Sequence, residues 1–106
     1  MPAATPVLDT LTDINTASIE RTSLMPRDLM IARLAALVAV DAPPASYLAN
    51  AGAATDSGIT EQDVQEILIA VAPVVGTAKV VSAGGNMMRA LGFAIAVAED
   101  TAATGM

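Results

Sequence analysis

Apolar residues along this chain gather into blocks of helical length, and each block is closed by proline, glycine or short polar side chains. No alternation of strand type persists anywhere, so the pattern predicts an all-α fold. From Pro26 the chain reads Pro-Arg-Asp-Leu-Met-Ile-Ala-Arg-Leu-Ala-Ala-Leu-Val-Ala-Val, with proline and an early acid, Asp28, in a first-turn arrangement. This predicts a helix that ends before Asp41-Ala42-Pro43-Pro44, where two prolines remove donors and push the preceding residues out of the α region. Pro44 then opens a helix over Ala45 to Ala54, stopped by Asp56-Ser57-Gly58. Thr60-Glu61-Gln62-Asp63 reads as an N-cap with first-turn acids, Asp63 standing as a shorter form of the capping-box acid. In the helix that follows, Val64, Ile67, Leu68 and Val71 recur at the spacing of one buried stripe. Pro73 and Gly76 are read as an interruption, and Thr77 as the cap of a last helix running from Ala78 to Leu91 or beyond. Gly84-Gly85 inside it predicts either a break or a close helix approach. The run Phe93 to Ala98 extends that helix before a polar tail.

The expected division is an N-terminal arm over residues 1–22 with a short helix from Leu11 to Glu20, a helical domain over 23–100, and a tail over 101–106. The segment Leu29 to Val40 carries one charge, Arg33, in twelve residues. A helix apolar on every side needs cover on every side, and few other helices are available in one chain of this size to supply it. A partner subunit is therefore expected to provide part of that cover.

Composition narrows the chemistry. The 106 residues contain no Cys and no His, which excludes disulfides, thiolate or imidazole metal sites, thiol peroxidase chemistry and any Ser-His or Cys-His triad within the chain. Eleven acids against five bases give a net charge of −6, and one Tyr and one Phe provide no stacking platform, so a nucleic-acid partner is not expected. No apolar run approaches the ~18 residues of a membrane span, and no basic segment precedes an apolar run at the N-terminus. The expectation is a single-domain cytoplasmic protein without membrane contact, metal or cofactor.

Three stretches resemble the carboxymuconolactone decarboxylase family, which includes the alkylhydroperoxidase D-like proteins. They are Pro26-Arg27-Asp28-Leu29 before an Ala-rich helix, Ala49 to Ala54 followed by Gly58-Ile59-Thr60-Glu61-Gln62-Asp63-Val64-Gln65-Glu66-Ile67-Leu68, and Ala72-Pro73-Val74-Val75-Gly76-Thr77. The resemblance spans residues 23 to 92 and implies a compact subunit of five or so helices, assembled as a homotrimer or homohexamer with pockets at subunit contacts. In the peroxidase branch a C-x-x-C-x-x-x-H motif precedes the glycine of the second stretch. Its three positions are Pro43, Ser46 and Asn50 here, so the thiols and the imidazole are replaced. Disulfide exchange needs a thiolate, and asparagine cannot exchange a proton in acid–base catalysis. Peroxidase activity is thus not expected, whatever the resemblance implies, and the decarboxylase branch's histidine is missing as well. Asp28 matches the acid that completes the family's proton relay, although the stretch from Asp28 to Ser46 is a few residues longer here.

The candidate catalytic residues are accordingly Asp28, Ser46 and Asn50, and the candidate ligand-binding residues are Arg33, Tyr47 and Asn50. Ser46 and Asn50 share a helix face and suit a ligand's carboxylate or carbonyl, or else a local backbone contact. Arg33, costly to bury alone, reads as paired with Glu66 or Asp28, or as the clamp of an anionic ligand. If the chain is an enzyme, Asp28 or Glu66 is the proton acceptor and catalysis rests on positioning. Lys79 and Arg89 read as solvated, while Asn86, Met87 and Met88 read as core fillers or pocket lining. The expected role is binding or slow conversion of a small organic molecule at a subunit-lined pocket. The alternative is a non-catalytic assembly protein on the same scaffold.

Overall fold

The computed structural model describes residues 5–92 of the chain. Five α-helices follow one another: α1 (Pro6–Arg21), α2 (Pro26–Ala39), α3 (Pro44–Asp56), α4 (Glu61–Val75) and α5 (Thr77–Met87), the last running on into a π-helical turn at Met88–Gly92. Among the described residues there is no strand, and no helix is long and apolar enough to cross a membrane. The expected run from Phe93 to Ala98 and the tail lie outside the described residues.

Helix starts follow the sequence closely. Pro6, Pro26 and Pro44 each occupy a first-turn position, where the missing donor costs nothing. Thr60 and Asp63 form a reciprocal capping box: the Asp63 N–H donates to Thr60 Oγ1 at 3.1 Å, and the Thr60 N–H to Asp63 Oδ2 at 2.8 Å.

Two helices stop in the same way. At the end of α3, Gly58 takes a positive φ of 80°, its N–H donates to Thr55 O, and the Ile59 N–H donates to Ala54 O, which is the Schellman arrangement. At the end of α2 the same pattern is made by Asp41, with φ 54°, whose N–H donates to Val38 O while Ala42 N–H donates to Leu37 O. An L residue pays about 1–2 kcal/mol for that conformation, and here the Asp41 carboxylate is held by Ser82 Oγ at 2.8 Å. In both motifs the residue after the turn, Ala42 or Ile59, is buried and carries the chain straight into the core.

That core is built from one stripe on each of α2 to α5: Met30, Leu34 and Val38 of α2; Tyr47, Ala51 and Ala54 of α3; Val64 and Ile67 of α4; Ala83 and Met87 of α5. Helix α2 packs on α3, α4 and α5, and α4 on α5. Polar links fix the layout. Arg27 of α2 grips Asp63 with a two-toothed ion pair, at 2.6 and 2.8 Å, and also donates to Gly58 O at 3.0 Å. Across the molecule, α5 is laced to the α2–α3 turn by Lys79 Nζ on Ala39 O and Asn86 Nδ2 on Ala42 O.

Several expectations are corrected or resolved. Pro73 lies inside α4, which runs on to Val75, and Gly76, with Thr77 at the first helical position, caps α5. Of the two readings of Gly84-Gly85, a break or a helix contact, the structure has the second: α5 runs through both glycines, and a Cβ at Gly84 would lie 3.7 Å from Leu68 of α4. Lys79 is exposed, as its reading as a solvated side chain has it, and its Nζ also donates to the last carbonyl of α2, where a cation is favoured, while Asn86 serves the same turn. The short helix foreseen in the arm is sixteen residues long.

Helix α1 stands apart from this arrangement. It buries none of its own residues, yet it carries Leu8, Leu11, Asn15 and Ile19 along one face at three- and four-residue spacing. That face looks across a gap at α2 and α3.

Candidate functional site

The gap is a groove of about 600 Å³ with three walls. One wall is the inner face of α1, with Leu8, Leu11, Thr12, Asn15 and Ile19; the second is the outer flank of α2, with Leu29, Met30 and Arg33; the third is α3, with Ala49, Asn50 and Ala53. Thr22, Leu24 and Pro26 of the α1–α2 connection close one side. The α2 stripe of Met30, Leu34 and Val38 points into the core, so Leu29 and Arg33, each a residue round from that stripe, are turned toward the groove. Small side chains at Ala49 and Ala53 leave the space that the groove occupies.

Arg33 is the groove's one ionisable side chain; no acid lines it among the described residues. The anticipated pairing of Arg33 with Glu66 or Asp28 is not formed. Its Nη1 donates instead to Asn15 Oδ1 and its Nη2 to Ser18 Oγ at 3.0 Å, both neutral acceptors on α1. Glu66 is engaged by Gln62 Nε2 on its own helix at 2.8 Å. A guanidinium has five N–H donors, so two contacts leave it with donors to spare.

Asn50 also reaches the groove. Its Nδ2 donates to Ser46 O at 2.9 Å, one turn earlier in α3, which leaves the amide oxygen available. Ser46 itself is half-buried in the first turn of α3 and does not line the groove. Tyr47 is fully buried in the core, and its hydroxyl has no partner among the described residues. Burial pushes that phenol above its ordinary range, and Asp41 nearby pushes it the same way. Asp28 is exposed on the first turn of α2, away from the groove. Of the five residues singled out from sequence, the fold therefore brings Arg33 and Asn50 together and leaves Asp28, Ser46 and Tyr47 outside.

The strongest electrostatic feature lies elsewhere. Arg27 holds the Asp63 carboxyl far below the usual carboxylate range, helped by the Thr60 backbone N–H. This pair joins α2 to α4 and is structural. Among the described residues no three acids lie close enough to hold a metal ion.

The sequence reading missed the wall supplied by α1. Its signal was present in Leu8, Leu11, Asn15 and Ile19, but polar residues between them gave the segment the look of a mobile arm. Asn15 and Ser18 carry no chemistry on their own and gain a role only when Arg33 is placed against them.

Compared with protein-family models, curated proteins and solved structures, the chain matches none.

Proposed function

We propose that this chain is a binding protein for a small organic molecule, held without thiol chemistry in the α1–α2–α3 groove, within a homo-oligomer on a scaffold similar to the carboxymuconolactone decarboxylase proteins. The observation that carries the reading is the groove itself: about 600 Å³, walled by Leu8, Leu11, Ile19, Leu29 and Met30, with Arg33 and Asn50 as polar groups that orient a guest. Ligand sites have this make-up, an apolar lining with a few placed polar atoms and a volume of about 300–1,000 Å³. Binding is favoured over turnover because proton transfer requires an acid or base within hydrogen-bond reach of the substrate. Neither Asp28 nor Glu66 lines the groove. Any slow conversion would rest on orientation and on the charge of Arg33.

The second reading, a non-catalytic assembly protein, draws on the exposed apolar residues of α1, among them Val7 and Ile14. Native mass spectrometry of gently purified protein separates the two. A discrete extra mass is expected on the wild type and is expected to be lost in Ala53→Trp, which fills the groove. A wild type that carries no added mass, and whose melting temperature no apolar probe raises, would hand the case to the assembly reading.

A further inference from the structure

We propose that the groove's guest is an unbranched aliphatic monocarboxylate, its carboxylate seated on Arg33 and its chain lying along Leu8, Leu11 and Leu29. This rests on the reading of the groove as a binding site and names the class of molecule it takes.

Three observations lead to it. First, the chain as a whole carries eleven acids and five bases, yet the groove reverses the sign: its single ionisable side chain is a guanidinium, with no acid lining it among the described residues. A cationic guest would find acids over much of the molecule and none here. Second, no acid neutralises Arg33 among the described residues. Its two contacts are to a neutral amide oxygen and a neutral hydroxyl of α1, which aim the guanidinium and leave its charge and remaining donors unused. A carboxylate, with two acceptor oxygens in the geometry of that fork, is the complement of such a group. Asn50 lines the same groove, and its amide NH2 has a second N–H beyond the one given to Ser46 O, a donor of the kind a carboxylate accepts. Third, the apolar part of the lining is aliphatic, interspersed with the neutral side chains of Thr12, Asn15, Thr22 and Ser57, and no Phe, Tyr or Trp lines the groove to stack against an aromatic ring. Leu8, Leu11, Ile19, Leu24 and Leu29 instead match a methylene chain. A single charge set among leucine and isoleucine side chains suits a guest with one charged group, and a dicarboxylate would place its second charge against leucine side chains.

The test is isothermal titration calorimetry on the full chain with decanoate, decanamide and decyltrimethylammonium, followed by hexanoate and octanoate. Decanoate is expected to bind at least tenfold more tightly than decanamide, because hydrogen bonds to a charged group are worth that much over neutral ones. The cation is expected not to bind. Affinity should rise by up to about fourfold per added methylene, the full-burial value. Arg33→Gln should abolish the preference for decanoate while decanamide still binds. Since Arg33 also holds α1, a second variant, Thr12→Asp, leaves it in place and sets a carboxylate on the exposed groove-facing side of α1; it should weaken decanoate selectively.

Equal binding of decanoate and decanamide to the wild type, or a decanoate affinity that both variants leave untouched, would overturn the carboxylate assignment while the groove still stands as a binding site. Failure of all the aliphatic probes to bind would remove the assignment, and it would remove the groove reading as well where the wild type also carries no added mass in native mass spectrometry.

Discussion

Tyr47 is the largest side chain fully buried in the core, and its hydroxyl has no partner among the described residues. An unsatisfied buried hydroxyl costs about 1–3 kcal/mol, whereas the ring around it contributes packing. Tyr47→Phe should therefore keep the packing and remove the cost, leaving the protein as stable as the wild type or more stable by about 1 kcal/mol in urea denaturation. A loss of stability on that substitution would mean that the hydroxyl is engaged after all. Ligand affinity in the groove should not change, because Tyr47 does not line it. The contrast between Tyr47 and Asn50 shows what spacing along a helix does and does not convey. Residues 46, 47 and 50 are close in sequence, but a step of one residue turns about 100° around the axis, which is enough to carry Tyr47 into the core while Asn50 reaches the groove. The face shared by Ser46 and Asn50 was legible from their four-residue separation. Which of them meets a cavity depends on where α1 lies, and that is a tertiary fact. Arg33 illustrates the same limit: its need for a partner could be read from an apolar helix, but the partners are two uncharged residues fifteen and eighteen positions away.

Helix α4 begins where three devices coincide: the capping box of Thr60 and Asp63, two acids in the first turn, and the grip of Arg27 from α2. Asp63 takes part in all three, so its charge state couples local helix formation to the docking of α2. Because its folded-state value lies well below that of an unfolded aspartate, the stabilisation is complete above about pH 3.9 and is lost as pH falls from there through the folded value. Asp63→Asn should be less stable than the wild type at pH 7, and the gap should narrow as pH drops below about 4. Thermal melts of both proteins between pH 7 and pH 2.5 would show it, and a gap of constant size across that range would contradict the coupling. Here the sequence was highly informative, since Thr60, the first-turn acids, and the prolines at positions 26 and 44 are local signals that act through the backbone of their own helix. Prolines that fall late in a helix are less decisive. Pro73 sits near the end of α4, where losing one donor does not prevent two more helical residues, and the stop comes from Gly76 at a positive φ of 89°. The left-handed turn at Asp41 was legible only as a stop, because the residue in that conformation is an aspartate rather than a glycine and its side-chain partner, Ser82, lies forty-one residues further on.

At the level of the whole molecule, α1 is the element that the rest of the chain does not account for. The radius of gyration is 14.8 Å, against about 13 Å for a compact chain of 100 residues. The inner face of α1 borders the groove, but Val7 and Ile14, seven residues apart, lie about a quarter-turn away and remain 70% and 60% exposed. Leu8, Leu11, Ile19, Leu24 and Met25 are each at least half exposed as well. Scattered apolar residues on a surface need no explanation, but a run of this size along α1 and the connection after it is what an interaction surface would require. Helix α2 gives the same message more quietly: one stripe is buried, while Leu29, Ile31 and Leu37 beside it are only partly covered. The expectation of a homo-oligomer arose from α2, and α1 now offers the surface on which it can be tested. Native mass spectrometry should give a closed multiple of the 10.7 kDa chain, with a trimer or hexamer as the expected sizes. Val7→Glu combined with Ile14→Glu places two charges on the outer flank of α1 without altering any groove-lining residue. The double variant should dissociate to smaller species while its circular dichroism remains helical, because neither residue contributes to the core. An assembly unchanged by these charges would move the interface to another face, and a wild type that is monomeric at tens of micromolar would remove the need for one. Since α1 forms both this outer surface and one wall of the groove, assembly and binding should be coupled: decanoate should bind the dissociated variant more weakly than the wild type. Binding energy gained by holding α1 against α2 in the oligomer would otherwise have to come from the ligand itself.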